Sequence, residues 1–345
     1  MPADALDELL AGLGVELGVL AAPMAGGPGT VELAIAAARA GSLGFLAAGY
    51  KTPEAIAGEI AEVRAAGVPF AVNLFAPNPL PVDRGEFARY RDELRRDADA
   101  LGVELDASPH EDDDSWREKV DLLLAEPPPL VSFTFGVPPR EDLHALRAAG
   151  SVLLQTVTSL PEALAAAEAG ADALAVQSAA AGGHWGTFTP ADPPPSKPLA
   201  ELLAAIAAQT PLPVLAAGGI GTRQDVSAAL AAGARAALVG TALMLAPEAG
   251  TVAAHRAAFA AYSETTVTRA FTGRPARGLR NSFIDRHGAS APLGYPALHH
   301  LTGPIRRAAA AAGDPELLHL WAGTGFGAAR EQPAGEILRS LSGAW

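Results

Sequence analysis

Eight short apolar runs, each followed by a segment with helical signals, constrain this chain more than any other feature of it. They are Leu17 to Ala22, Leu43 to Ala47, Pro69 to Phe75, Leu130 to Phe135, Val152 to Val157, Ala173 to Gln177, Pro213 to Ala217 and Ala236 to Val239. A strand covered by helices on both faces reads as a continuous apolar run, and strand-then-helix repetition builds a parallel sheet. The intervening segments carry helix starts. Thr30 opens a helix that runs to Ala40 and closes at Gly41. Thr52 precedes Pro53 at a first helical position, and Ser159-Leu160-Pro161-Glu162 opens another helix. An open doubly wound sheet is the alternative. The count of eight, with polar or Gly-rich residues after nearly every run, favours a (β/α)8 TIM barrel, whose sites sit at that end of the strands.

Two segments interrupt the alternation. Pro77 to Pro129 is too long for one crossover and holds a charged helix near Gly85 to Leu101 and an acidic loop, His110 to Asp114. It reads as a barrel insertion. From Thr265 to about Leu320, dense Gly, Pro, Arg and His suggest a cap over the barrel mouth. The expected organisation is therefore a barrel over residues 1–264 with an insertion at about 77–129. Residues 265–345 form a cap segment whose C-terminal helices return to the barrel.

Composition narrows the function. With 345 residues, 49% of them hydrophobic, the chain can build one large core with elaborations. No apolar run is long enough for a membrane helix, and Met1-Pro2-Ala3-Asp4 lacks a basic leader region, so a cytoplasmic protein is expected. Net charge is −13, and the basic residues from Arg89 to Arg96 alternate with Asp92, Glu93 and Asp97. That pattern is a solvated helix face, and no nucleic-acid partner is expected. The absence of cysteine excludes disulfides, thiolate catalysis and Cys-ligated metals. Ala-rich helices would serve a homodimer interface or the chain's own core equally well.

Two late runs end in glycine turns. Val214 to Ala217 leads into Gly218-Gly219-Ile220-Gly221 with Thr222 opening a helix, and Leu238-Val239 leads into Gly240-Thr241. Glycine lets a backbone approach a ligand closely, and a helix start beyond it adds partial positive charge. Barrels frequently bind phosphate at this position. Each turn alone would be no more than a tight turn; two on consecutive late strands point to a phosphate site.

The sixth run ends at Gln177 and is followed by Ala181-Gly182-Gly183-His184-Trp185-Gly186. A histidine among glycines on a loop at the active end is suited to proton transfer. A structural histidine bonded to its loop is the alternative that spacing alone leaves open. No second His or carboxylate stands at ligand spacing beside it, so no metal site is expected. His299 and His300 are adjacent and point apart, as lid residues at most.

Taken in order, these residues resemble the nitronate monooxygenase family. The resemblance rests on Ala22-Pro23-Met24-Ala25-Gly26, Asn73-Leu74-Phe75, Val131 to Gly136, Val176-Gln177 with Ala181 to His184, Ala217 to Ile220 and Gly240-Thr241. The runs Phe271-Thr272-Gly273-Arg274-Pro275-Ala276-Arg277-Gly278 and Leu320-Trp321-Ala322-Gly323 extend it to nearly the whole chain. It implies a TIM barrel holding one noncovalent FMN and a small nitronate substrate oxidised by O2 to a carbonyl compound and nitrite. It also implies that Asn73, Gln177, Gly182, Gly219 and Leu238-Val239-Gly240-Thr241 contact the flavin. Gly183 and Gly218 lie in the same turns, Ala22-Pro23-Met24 run beside the ring, and His184 is the active-site histidine. This chain has Ser178-Ala179-Ala180 where relatives often carry Gly and Glu, which leaves the partner of His184 open. An FMN-dependent NAD(P)H enoyl-thioester reductase is the nearest rival, and a flavin-bearing binding protein without turnover is another. Chemistry of the IMP-dehydrogenase type needs a cysteine that is absent.

Overall fold

A computed structural model describes residues 5–192, 194 and 197–342. Met1 to Asp4, read above for a leader, lie outside the described residues, as do Gly343 to Trp345 at the end of the cap segment. Eight parallel strands close into a barrel in the order β1 (Val19–Ala21), β2 (Gly44–Ala47), β3 (Phe70–Phe75), β4 (Leu130–Thr134), β5 (Val152–Val157), β6 (Ala173–Gln177), β8 (Val214–Ala217) and β9 (Ala236–Val239). β9 pairs back onto β1, with Val19 opposite Ala237. The expected (β/α)8 barrel is thus the fold, with strand ends within about two residues of the apolar runs.

The strand numbering skips from β6 to β8 because the loop after β6 forms a strand of its own. β7 (Gly183–His184) joins β10 (Thr265–Thr268) and β11 (Ala276–Leu279) in a small antiparallel sheet over the barrel mouth. Helix starts fall where side-chain caps were expected. Thr30 accepts from Leu33 N, Thr52 from Ala55 N and Ser159 from Glu162 N. Such caps satisfy amide donors that a helix start leaves unpaired.

Alternation along each strand sorts the core into two shells. Leu20, Phe45, Ala71, Leu130, Leu154, Ala173, Leu215 and Ala236 fill the barrel interior, sealed by Leu6 and Leu10 of the first helix. Their outward neighbours, among them Val19, Val72, Val131, Leu174 and Val214, pack against the surrounding helices. Helix Ala334–Leu341 returns to this outer shell through Ala334, Ile337, Leu338 and Leu341.

The insertion divides between two layers. Helix Arg84–Leu101 buries Phe87, Tyr90 and Leu94 against Phe271, Phe283, Leu298 and Leu301 of the cap. Asp97 fastens it there, 2.9 Å from Arg286 Nη2 and 2.7 Å from His287 Nε2. Helix Trp116–Ala125 instead covers the barrel wall, and its Trp116 Nε1 donates to Asp142 at 2.9 Å. The cap therefore rests partly on residues that precede β4 in sequence.

Candidate active site

Strand parity carries polar side chains to the C-terminal end of the barrel. Inward positions there change from apolar to polar: Ala71 is followed by Asn73, Leu130 by Ser132 and Thr134, Leu154 by Thr156, and Ala175 by Gln177. The polar residues of this series line a cavity of about 510 Å³. Asn73 donates through Nδ2 to Ser132 Oγ (2.9 Å) and Thr134 Oγ1 (3.2 Å), and its Oδ1 has no protein partner among the described residues. Gln177 donates to the His184 carbonyl (3.2 Å) and accepts from Gly186 N (2.7 Å), so one side chain clips the turn that carries His184.

The two glycine turns face the same cavity. Gly218 and Gly219 adopt φ values of +108° and +76°, in the left-handed region. Among the described residues, the amides of Gly218, Gly219 and Gly240 have no hydrogen-bond acceptor. Helix Arg223–Ala231 starts just beyond, with Thr222 and Asp225 forming a reciprocal capping box. The segment after Leu320 closes over these turns. Gly323 N donates to Thr241 Oγ1 at 3.0 Å, and Thr324 N to Ala180 O at 3.0 Å. Gly182 permits that approach, because a Cβ there would lie 2.6 Å from Ala322 C.

His184 pairs with Ala276 of β11 through its backbone. Its Nε2 lies 2.9 Å from Thr272 Oγ1, and Thr272 is itself 1% exposed and anchored to the Arg274 backbone. With its one proton on the Arg274 carbonyl the hydroxyl accepts from Nε2–H, and with that proton turned to the ring it donates to Nε2 instead, so the contact holds the ring in either tautomer. Nδ1 has no protein partner among the described residues. Phe135, Tyr295 and Trp321 surround the imidazole with centroids at 5.6, 5.8 and 5.5 Å. His184 is half-buried by its own surface, and what it leaves open faces the cavity. This burial, reinforced by the Arg274 and Arg306 cations, lowers its pKa to about 3, so the ring is neutral at physiological pH.

Both arginines are buried cations without a carboxylate partner among the described residues. Arg274 is 0% exposed, donates to the Phe135 and Thr187 carbonyls, and sits 4.1 Å from the Phe135 ring centroid. Its Nε and Nη1 have no hydrogen-bond partner among the described residues. Arg306 lines the cavity and donates to the His299 carbonyl (2.7 Å) and Thr302 Oγ1 (3.1 Å). Burial lowers both pKa values to about 10, which leaves both cationic at pH 7. Among the described residues no Asp or Glu lines the cavity, although the whole chain carries a net charge of −13. Such a cavity favours an anion.

At the mouth, Tyr50 stacks flat on His299, with centroids 4.1 Å apart and an interplanar angle of 1°. Tyr295 donates a hydrogen bond to the Tyr50 oxygen at 3.2 Å. The insertion props this wall: Asp114 accepts from Tyr50 N at 2.9 Å and pairs with the buried Lys119 at 2.7 Å.

The residues picked from sequence converge on this cavity, with Val239 set apart. Ala22, Pro23, Met24, Asn73, Gln177, Gly182, Gly183, His184, Gly218, Gly219, Leu238, Gly240 and Thr241 line it. Val239 packs in the outer shell because strand alternation turns it away from its neighbours Leu238 and Gly240. The two adjacent cap histidines do point apart: His299 lines the cavity and His300 bonds to Asp112 outside it. Thr272, Arg306, Trp321 and Tyr50 were not singled out from sequence. Thr272 and Trp321 lie within quoted runs that gave them no role, and Arg306 follows His299 by two helical turns on the same face.

Several histidines around the cavity are held neutral, which gives stability a pH dependence. His255 is 7% exposed, and burial lowers its pKa to about 4; His299 and His319 are lowered too. An unfolded histidine, with a pKa of about 6.5, binds more protons than the folded one between these values. The stabilising difference is therefore full above pH 6.5 and is lost as pH falls towards 4, reaching about 2 kcal/mol for His255 at pH 5. The melting temperature is expected to drop from pH 7.5 to pH 5, and to drop less in His255→Gln. Equal slopes in the two proteins would refute this account of the site's burial.

Comparison with known proteins agrees with this fold. The nitronate monooxygenase family matches residues 11–343. The nitronate monooxygenase of Pseudomonas aeruginosa is 37% identical over 338 residues, covering 95% of this chain and 96% of that protein. Among solved structures, the nitroalkane oxidase of Streptomyces ansochromogenes superposes with a TM-score of 0.90 at 43% identity, covering 96% of both chains. FabK from Thermotoga maritima is more distant, with a TM-score of 0.75 at 25% identity, covering 97% of this chain and 94% of that one. The chain belongs to the nitronate monooxygenase family.

Proposed function

We propose that this enzyme binds FMN in the barrel mouth and oxidises alkyl nitronates with O2 to carbonyl compounds and nitrite, with His184 acting on the substrate. The observation that carries the reading is a cavity lined, among the described residues, by no carboxylate but by the guanidinium groups of Arg306 and Arg307, with buried Arg274 nearby and a neutral histidine whose Nδ1 has no protein partner there. A nitronate is a small anion and meets those charges favourably. A neutral thioester offers them only a carbonyl dipole, a weaker partner than a full negative charge.

The cavity also suits the proposed cofactor. Gly218, Gly219 and Gly240 offer unpaired amides at the ends of neighbouring strands, where a phosphate would be held. Asn73 and Gln177 offer amide groups on the barrel floor, and Ala22-Pro23-Met24 form an apolar wall beside it. When bound, FMN supplies the electron-transfer chemistry. The chain's own residues do the rest. Arg306 faces the anion and buried Arg274 adds its field from outside the cavity lining, the aromatic ring of Phe135, Tyr295 and Trp321 excludes water, and Thr272 aims the imidazole. Neutral His184 either donates from Nδ1–H to a nitronate oxygen or accepts a proton there, according to its tautomer. Its low pKa makes it a weak base, so hydrogen bonding to a preformed nitronate is the role that fits.

The direct test is nitrite release from propyl-2-nitronate in air by the purified yellow protein; no nitrite would refute the reading. Thr272 is a positioning residue on this account. Thr272→Val is expected to lower kcat/KM for the nitronate roughly 10- to 100-fold, as loss of an orienting partner does at other sites. Flavin content stays unchanged, and Thr272→Ser restores most of the activity. A serine variant no better than the valine one would remove Thr272 from the mechanism.

A further inference from the structure

Outside the cavity mouth, the acidic loop of the insertion meets the cap helix Ala297–Ala312. Asp112 Oδ2 lies 2.6 Å from His300 Nε2 and 3.6 Å from His110 Nε2, and the three donor atoms all lie within 4.8 Å of one another. We propose that His110, Asp112 and His300 bind one divalent cation of the zinc class, with water completing its coordination. The ion clasps the insertion loop to the cap helix.

The geometry is close to what such an ion requires. Two ligands held at about 2.0–2.1 Å from a tetrahedral ion stand roughly 3.3 Å apart. The His110–Asp112 spacing is already near that value, and the His300–Asp112 spacing has to open by somewhat under 1 Å. Two imidazoles with one carboxylate favour Zn²⁺, Ni²⁺ or Cu²⁺ over the all-oxygen ions Mg²⁺ and Ca²⁺. The carboxylate is already oriented, because Asp112 Oδ1 accepts from Asp114 N at 2.9 Å. Glu111 and Asp113 keep the surroundings negative. None of the three ligands is buried, so the cation can enter from solvent. Sequence reading gave no hint of the site because its donors are separated by 188 residues.

The placement gives the ion a consequence. Asp114, two residues beyond Asp112, holds the backbone of Tyr50, and His299, next to His300, is the ring on which Tyr50 stacks. Joining the loop to the helix fixes both halves of that wall of the cavity mouth.

The test uses tag-free holoenzyme titrated calorimetrically with zinc chloride in chelator-free buffer. One equivalent is expected per chain. His110→Ala and His300→Ala each weaken it by at least the roughly 10–100-fold that even outer-shell changes cost at metal sites. His144→Ala, at an exposed histidine elsewhere, leaves it unchanged. Hydrogen exchange in the loop around residues 108–115 slows with zinc in the parent and not in His300→Ala. No saturable uptake, or uptake that survives both substitutions, overturns the proposal.

Discussion

Replacing His184 by asparagine is expected to lower nitronate turnover by roughly 10²–10⁴-fold, the range that a positioned hydrogen-bonding or proton-transferring group commonly supplies. The flavin is expected to stay bound. His184 hydrogen-bonds to protein through Nε2 and its backbone, whereas the Gly218–Gly219 and Gly240 turns and the polar barrel floor belong to other elements. The low pKa sharpens the expectation. A ring held neutral down to about pH 3 gives no inflection in kcat/KM between pH 5 and pH 8. Its weakness as a base also makes the neutral nitroalkane a far poorer substrate than its nitronate, by a factor on the order of 10². Full nitrite release in the variant, or an inflection near pH 6.5 that disappears with His184, would contradict this assignment.

The second large effect is expected at Gly218. An alanine there would be strained at φ +108°, and its Cβ would stand 2.6 Å from Ser178 Oγ and 3.0 Å from Ala181 N. The strain alone costs about 1–3 kcal/mol. Relieving the contacts means moving the Ser178–Ala181 loop, which leads directly into Gly182, Gly183 and His184. Gly218→Ala is therefore expected to purify largely without flavin. Gly67→Ala is the control. Its φ is +67°, no atom lies within 4 Å of the added Cβ, and it stands away from the cavity. That variant is expected to lose about 1 kcal/mol, the cost of the left-handed conformation, and to keep its flavin. The ratio of flavin to protein absorbance after gel filtration, with a melting curve for each variant, separates the two. A yellow Gly218→Ala protein would show that this turn is not the phosphate cradle.

What the sequence made legible was whatever repeats or lies close together in the chain. Alternating runs disclosed the barrel because strand burial imposes its own period, and Thr30, Thr52 and Ser159 marked helix starts through local bonds. The glycine turns were visible because their conformation demands glycine. The same parity that brought Asn73 and Gln177 inside carried Val239 out, a distinction that a motif read as one block could not make. Long-range partners stayed hidden. The residue that orients His184 is Thr272, 88 positions away, and it comes within reach only because β11 pairs with β7. The buried charge of Arg274 was hidden likewise, since nothing local to Gly273-Arg274-Pro275 indicates that the guanidinium lies over Phe135.

The central claim is that an anionic nitronate is the electron donor to the bound flavin. Its most direct test is an anaerobic stopped-flow comparison in which the purified yellow protein is mixed separately with propyl-2-nitronate, 2-nitropropane, NADH and NADPH. Rapid loss of flavin colour with the nitronate, and none with either nicotinamide, is the predicted result. Rapid bleaching by NADH or NADPH, with no response to the nitronate, would contradict it and assign the cavity to a nicotinamide-dependent reductase.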